Sequence, residues 1–190
     1  MEVITKEEFV VNRDDYLRRI KQGSVFIHPT DTIYGLGCDA TNARAVTNIR
    51  KIKHRQDNPF SVIAPSKKWI YDNCEVSQGA LKWVEKLPGP YTLIFRLTNK
   101  KAVADNTNCG LDTLGIRIPY HWFSRVAAVL GLPLVTTSAN ISGGDFMTSI
   151  DNMDQVIGRK VDFIIYEGEK RGRPSALVNL VDEKIKVTKR

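Results

Sequence analysis

Two short stretches hold residue types able to do chemistry. Lys53 and Arg55 stand one residue apart in KHRQDN, where a helical pattern runs out, and Ser138 and Asn140 stand in TTSANISGG, where an apolar strand ends. An ammonium and a forked guanidinium held at one place suit the oxygens of a polyphosphate better than a single carboxylate. The hydroxyl of Ser138 and amide of Asn140, followed by Ser142-Gly143-Gly144, would let such a ligand approach the backbone closely. A second reading stands beside the first: Arg50, Lys51, Lys53 and Arg55 could form only a solvated helix face.

Two further positions invite the same question. Thr30 and Thr32, two apart in PTDTIYGLG, would point the same way in an extended segment and aim two hydroxyls into one pocket. The alternative is a plain turn, broken by Pro29 and bent at Gly35 and Gly37. Arg117 lies in the apolar run TLGIRIP, whose alternation puts Thr113, Gly115 and Arg117 on one face. An arginine there needs an anion, either a ligand's or that of an acidic side chain.

The elements that must position these residues follow from spacing and punctuation. Asn12 can cap a helix with Tyr16, Leu17 and Ile20 on one face, stopped by Gly23, and a strand over 24–28 follows. Asn42 opens a helix with Val46, Ile49 and Ile52 inward, and a buried strand over 60–64 comes next. Lys53, Arg55 and Asn58 thus fall on a short helix-to-strand connection, a common place for a site. Ser77 can cap a helix carrying Leu81, Val84 and Leu87, and Pro88-Gly89-Pro90 forces a corner before a strand over 91–97. A polar loop over 99–112 leads to the Arg117 strand, then to a helix over 121–130 that ends at Gly131. A strand over 134–137 delivers Ser138. Met153, Val156 and Ile157 mark a short amphipathic segment before a strand over 163–166. The polar loop 168–172 precedes strands over 176–180 and 185–187, joined as a hairpin around Asp182-Glu183. Helices and strands mixed throughout, with no repeat and no low-complexity linker, predict an α/β (α+β-like) fold: one domain over 1–190 with a mixed sheet.

Composition narrows the function. A formal charge of +7 favours anionic partners such as nucleotides, tRNA or an acidic protein. No stretch is apolar enough to cross a bilayer and the N-terminus lacks the pattern of a signal peptide, so a cytoplasmic protein with no membrane partner is expected. Cys38, Cys74 and Cys109 lack disulfide or zinc spacing, and His28, His54 and His121 lack metal-ligand spacing. The phosphate loop GxxxxGK[ST], the dinucleotide fingerprint GxGxxG and the nucleophile elbow GxSxG are all absent.

Taken together, PTDTIYGLGCD, IRKIKHRQDNPF, LPGPYTLIF, LGIRIPYH, LVTTSANISG and GRPSALVNL resemble the YrdC family of threonylcarbamoyl-AMP synthases, in order and nearly in spacing, over roughly residues 9–190. The resemblance implies a single YrdC-like domain with a twisted mixed sheet flanked by helices. It also implies condensation of L-threonine, bicarbonate and ATP to threonylcarbamoyl-adenylate and pyrophosphate. By matching positions, Lys53, Arg55, Asn58, Thr113, Ser138 and Asn140 would face ATP, with Lys53 and Arg55 on its phosphates; Thr32, Arg117 and Ser175 would line the threonine side. Mg2+ is expected on the ATP phosphates, with no protein metal site. A downstream tRNA threonylcarbamoyl-transferase complex, and tRNA itself, are the implied partners. The chain departs from the family pattern in three places. The loop between Arg55 and Asn58 is one residue shorter than usual, Ala176 follows Ser175 where Thr is usual, and Asn179 replaces a usual Asp. Arg190 resembles a late arginine that reaches ATP in longer relatives. Two rival readings are an RNA-binding module without catalysis and a related carbamoyl-adenylate-forming enzyme.

Overall fold

The computed structural model describes every residue except Glu183 and Arg190, so the expectation for Arg190 lies outside the described residues. Its first element is a short strand, β1 (Glu2–Ile4). Thr5 then starts α1 (Lys6–Val11) through a capping box. Its hydroxyl accepts from the Glu8 amide at 3.1 Å, and the Glu8 carboxylate accepts from the Thr5 amide at 2.7 Å. Both elements are too short to leave a periodic signal. The first expected helix is α2 (Arg13–Lys21), but Asn12 does not cap it with its side chain. The Asn12 amide donates back to the Glu8 carbonyl at 3.1 Å and closes α1 instead. Asn42 behaves as expected: its side-chain oxygen accepts from the Arg44 and Ala45 amides, each at 3.1 Å, at the head of α3 (Ala43–Lys53). His54, at φ 51°, ends α3 in the left-handed region and turns the chain sharply after Lys53.

The other strands are β2 (Phe26–His28), β3 (Gly35–Gly37), β4 (Ser61–Ile63), β5 (Tyr91–Arg96), β6 (Thr113–Arg117), β7 (Leu134–Ser138), β8 (Phe163–Ile165), β9 (Ala176–Asn179) and β10 (Lys186–Thr188). The other helices are α4 (Lys67–Asn73), α5 (Gln78–Glu85), α6 (Ser124–Leu130) and α7 (Gln155–Lys160). Helix α4, capped by the Ser66 hydroxyl on the Trp69 amide, was not expected; Ser77 precedes α5 without a side-chain capping bond.

Among the described residues the strands form one sheet in the order β1-β8-β2-β3-β7-β4-β6-β5-β9-β10. Pairs β1–β8, β2–β8, β4–β6 and β5–β9 are parallel, and the rest antiparallel, including the expected β9–β10 hairpin. This is the mixed α/β class that the element pattern predicts. Helices cover both faces, because the strands are apolar on both sides. Phe9, Tyr16 and Ile20 of α1 and α2 pack with Val126 and Leu130 of α6 around Phe26 and Phe163. On the other side Val46, Ile49 and Ile52 of α3, Ile70 of α4, Val84 of α5 and Ile157 of α7 share a core with Leu36, Val62 and Ile116.

Candidate functional site

A cavity of about 160 Å³ opens over the middle of the sheet. Register explains why space remains there. Ser61 of β4 pairs with Thr136 of β7 on one side and Gly115 of β6 on the other. A Cβ at Gly115 would come within 2.8 Å of the Ser61 hydroxyl and 3.2 Å of the Thr92 methyl, so β6 stays bare beneath the cavity. Gly35, Thr136, Ser61 and Thr92 therefore make a floor with hydroxyls but little bulk. Its volume lies below the roughly 300–1,000 Å³ typical of pockets for drug-sized ligands, so the enclosed part suits a small polar molecule.

The wall on the β6 side carries Arg117, whose Nη2 donates to Asp31 Oδ1 at 2.6 Å and to Thr32 Oγ1 at 3.4 Å. Asp31 Oδ2 accepts from the Tyr120 amide at 2.9 Å. Asp31 is thus a protein anion for the arginine that the strand pattern had left seeking one. Thr30 and Thr32 are both buried, with their hydroxyls 3.0 Å apart, and both face the cavity although the segment is bent rather than extended. Ser175, buried beside Thr92 where β9 meets β5, shares a hydrogen bond of 2.7 Å with the Thr92 hydroxyl.

The segment between β8 and β9 closes this side. The Tyr34 hydroxyl donates to the Gly168 carbonyl at 2.6 Å and accepts from the Glu167 amide at 3.1 Å; burial pushes its pKa up to about 12, which keeps it a donor. The Glu167 carboxylate accepts from His121 Nε2 at 2.6 Å, from Trp122 Nε1 at 2.7 Å and from Lys170. Burial alone would raise Glu167, but these donors outweigh it and hold the carboxyl below its ordinary value. Gly172 lies so close to the Thr30–Thr32 turn that a Cβ there would come within 2.2 Å of the Thr32 carbonyl oxygen. Gly172→Ala should therefore lift this segment off Thr32, lowering stability by about 1–3 kcal/mol and weakening ligand binding. Chemical denaturation and ligand titration of the variant check this.

Lys53 is buried to 1% exposure. Its ammonium donates to the Ser138 carbonyl at 2.5 Å, the Asn140 carbonyl at 2.6 Å and Asn140 Oδ1 at 3.3 Å. The two stretches that the sequence sets against each other do meet, with Lys53 as the tie rather than a cation on the cavity wall. Burial, and then the neighbouring Arg55 charge, bring its pKa down from 10.5 to about 7. Asn140 also donates to the Gly144 carbonyl at 2.6 Å and accepts from the Ser138 hydroxyl, so the turn closes on itself.

Arg55 lines the cavity; its Nη2 donates to the Pro59 carbonyl at 2.9 Å and its guanidinium lies 5.3 Å from the Phe60 ring centre. Arg50 holds this loop. Its guanidinium donates to the carbonyls of Arg55, Gln56 and Asn58 at 3.1, 2.9 and 3.1 Å, to those of Asn106 and Thr107 at 2.7 and 3.3 Å, and lies 3.0 Å from Cys109 Sγ. The solvated-face reading therefore fails for Arg50 and Lys53 and holds for the exposed Lys51.

Of the nine sequence candidates, the cavity wall brings together Thr32, Arg55, Arg117, Ser138 and Ser175. Lys53 and Asn140 sit behind Ser138. Asn58 is exposed, with its carbonyl on Arg50, and Thr113 opens β6, its carbonyl accepting from Asn108 at 3.1 Å; neither lines the cavity. The sequence expectations passed over Asp31, Arg50 and Tyr34. Ser61, Thr92 and Thr136 left the one readable signal, hydroxyls spaced within otherwise apolar strands. Among the described residues no group of three or more His, Cys, Asp or Glu side chains could hold a metal ion, and Asp31, the acidic group at Arg117, is already engaged.

The described residues include no helix long and apolar enough to cross a membrane. A family profile named for Sua5, YciO and YrdC, and described as telomere recombination, matches residues 18–190. A putative threonylcarbamoyl-AMP synthase of Methanocaldococcus jannaschii is 37% identical over 171 residues, covering 88% of this chain and 80% of the relative. A threonylcarbamoyl-AMP synthase of Blochmanniella pennsylvanica is 27% identical over 180 residues, 92% of each chain. Among solved structures, P. abyssi Sua5 complexed with L-threonine superposes with a TM-score of 0.84 at 28% identity, over 98% of this chain and 56% of that one. The present chain thus spans just over half of the P. abyssi protein.

Proposed function

The chain belongs to the Sua5/YciO/YrdC family, and from that premise we propose that it is a threonylcarbamoyl-AMP synthase. It condenses L-threonine, bicarbonate or CO2, and ATP into threonylcarbamoyl-adenylate and pyrophosphate. The observation that carries this reading is the small hydroxyl-floored cavity with Arg117 and Thr32 on one wall and Arg55 and Ser138 on others. A binder of RNA backbone phosphates has no need of such an enclosed pocket, which sets that rival aside.

Bicarbonate takes up a proton and loses water to give CO2, and the threonine amine adds to CO2 and releases a proton to give a carbamate. A carbamate oxygen attacks the α-phosphorus of ATP, the bond to the β-phosphate oxygen breaks, and pyrophosphate leaves. No protein nucleophile is required, so positioning and charge neutralisation do the work. Arg117 clamps the threonine carboxylate in the forked geometry that guanidinium offers. Thr32 and the Ser175–Thr92 pair supply hydroxyls around the rest of the amino acid. Arg55 neutralises phosphate charge directly. Lys53 acts through the Ser138–Asn140 turn, with Asn58 and Thr113 outside the cavity on the nucleotide's side. Mg2+ enters with the ATP phosphates as part of the substrate. The adenylate goes on to a transferase complex that modifies an adenosine of tRNA, a role that suits a cytoplasmic protein; its basic charge is suited to tRNA contact.

The test is pyrophosphate release from ATP by the purified protein, omitting L-threonine and bicarbonate in turn. Release that needs both is the expected result. Release with serine or carbamoyl phosphate in preference would assign a related carbamoyl-adenylate enzyme, and no release under any condition would sink the reading.

A further inference from the structure

Asp31 lies between the two cavity threonines in sequence, yet both its oxygens are engaged elsewhere. Oδ1 accepts from Arg117 at 2.6 Å and Oδ2 from the Tyr120 amide at 2.9 Å. One carboxylate therefore joins three segments: the Thr30–Thr32 turn, the last residue of β6, and the chain just after it. Strand alternation decides only which face Arg117 leaves from. Arginine carries four side-chain torsions and much rotamer freedom, so the face alone does not fix the guanidinium. Thr32, at 3.4 Å, is a long neutral contact, whereas Asp31 offers a short charge-assisted bond. A guanidinium has five N–H donors, so holding one carboxylate does not exhaust it.

Resting on the synthase reading above, we propose that Asp31 is a positioning residue: it sets the Arg117 guanidinium in the place from which it receives the carboxylate of the amino-acid substrate. Tyr120, through its amide, fixes Asp31 in turn. Nothing in this arrangement requires Asp31 to touch substrate.

The test compares wild type with Asp31→Asn, which keeps the shape and removes the charge, and Asp31→Glu, which keeps the charge and displaces it by one methylene. Steady-state pyrophosphate release gives KM for L-threonine and for ATP separately, measured well below each variant's thermal midpoint. Calorimetric titration of L-threonine gives direct binding. KM does not depend on the folded fraction of a preparation, so any loss of stability leaves this readout clean. The expected result is a rise in KM and Kd for L-threonine of roughly ten- to hundredfold in both variants, the range for a lost charge-assisted hydrogen bond, with KM for ATP within about twofold. Unchanged threonine KM in both variants would overturn the proposal, as would equal rises for threonine and ATP, which a merely structural role would produce. Failure of the synthase reading is distinguishable because it shows in the wild type, as absent threonine binding and absent release.

Discussion

Arg117→Met is expected to reduce threonine-dependent pyrophosphate release by roughly two to three orders of magnitude and to lower folding stability by about 3–5 kcal/mol. The two effects have different causes. Arg117 and Asp31 are 7% and 10% exposed at their side chains, and they pair at 2.6 Å. Removing the cation leaves the Asp31 carboxylate poorly solvated and without its ion-pair partner, which is the costly way to break a buried ion pair. Replacing both members by uncharged groups is far less costly. Arg117→Met combined with Asp31→Asn should accordingly regain most of the stability while regaining none of the turnover. Urea denaturation and pyrophosphate release on the single and double variants separate the two. A double variant that stays as unstable as the single would show that packing around Arg117, not charge, carries the stability.

Lys53→Met is expected to act in the opposite proportion. Its stability at neutral pH should stay within about 1–2 kcal/mol of wild type, because methionine fits the same apolar path and relieves a buried charge. Turnover should fall about a hundredfold or more. Without the ammonium, the Ser138 and Asn140 carbonyls lose the donor that closes their turn, and Ser138 no longer has a fixed place on the cavity wall. The pH dependence identifies the cause. Lys53 titrates near 10.5 when unfolded and about 7 when folded, so between those values the unfolded chain binds more protons. The stability that Lys53 contributes is fully present above about 10.5 and is lost as pH falls through about 7. Thermal midpoints at pH 6 and pH 9.5 should therefore show wild type gaining on Lys53→Met as the pH rises. A gap independent of pH would mean that the buried amine is not the titrating group.

Particular residues show what the sequence made legible. Asn42 capped its helix because an Asx side chain at that place has one good local partner, the free amides of the first turn. Asn12 occupies an equivalent position but gives its side chain to the Glu8 carbonyl, since nothing in a sequence says which of two local partners wins, and Ser77 makes no side-chain capping bond. The two-residue period of TLGIRIP placed Arg117 on the cavity face but could not name Asp31, which is 86 residues away in the chain. Lys53 and the SAN turn were paired correctly as neighbours. The nature of the contact was hidden, because whether a lysine faces solvent or carbonyl oxygens is settled by the left-handed His54 turn and by β7, not by its own neighbours in sequence. Arg50 looked like surface for the same reason: all six of its hydrogen-bond partners lie on loops or turns that no local pattern fixes.

Those contacts of Arg50 have a thermodynamic consequence for whatever anion meets Arg55. A loop of polar residues ordinarily loses conformational entropy when it closes around a ligand, and each ordered residue costs on the order of 1–2 kcal/mol. Here the carbonyls of Arg55, Gln56 and Asn58 are already gathered on one guanidinium, so that loss is taken during folding rather than on binding. A flat, delocalised cation with five donors can gather three carbonyls of one loop and two of another at once, and a lysine's single ammonium cannot. The basic loop therefore meets its ligand as a rigid surface, with most of the attraction left over for affinity.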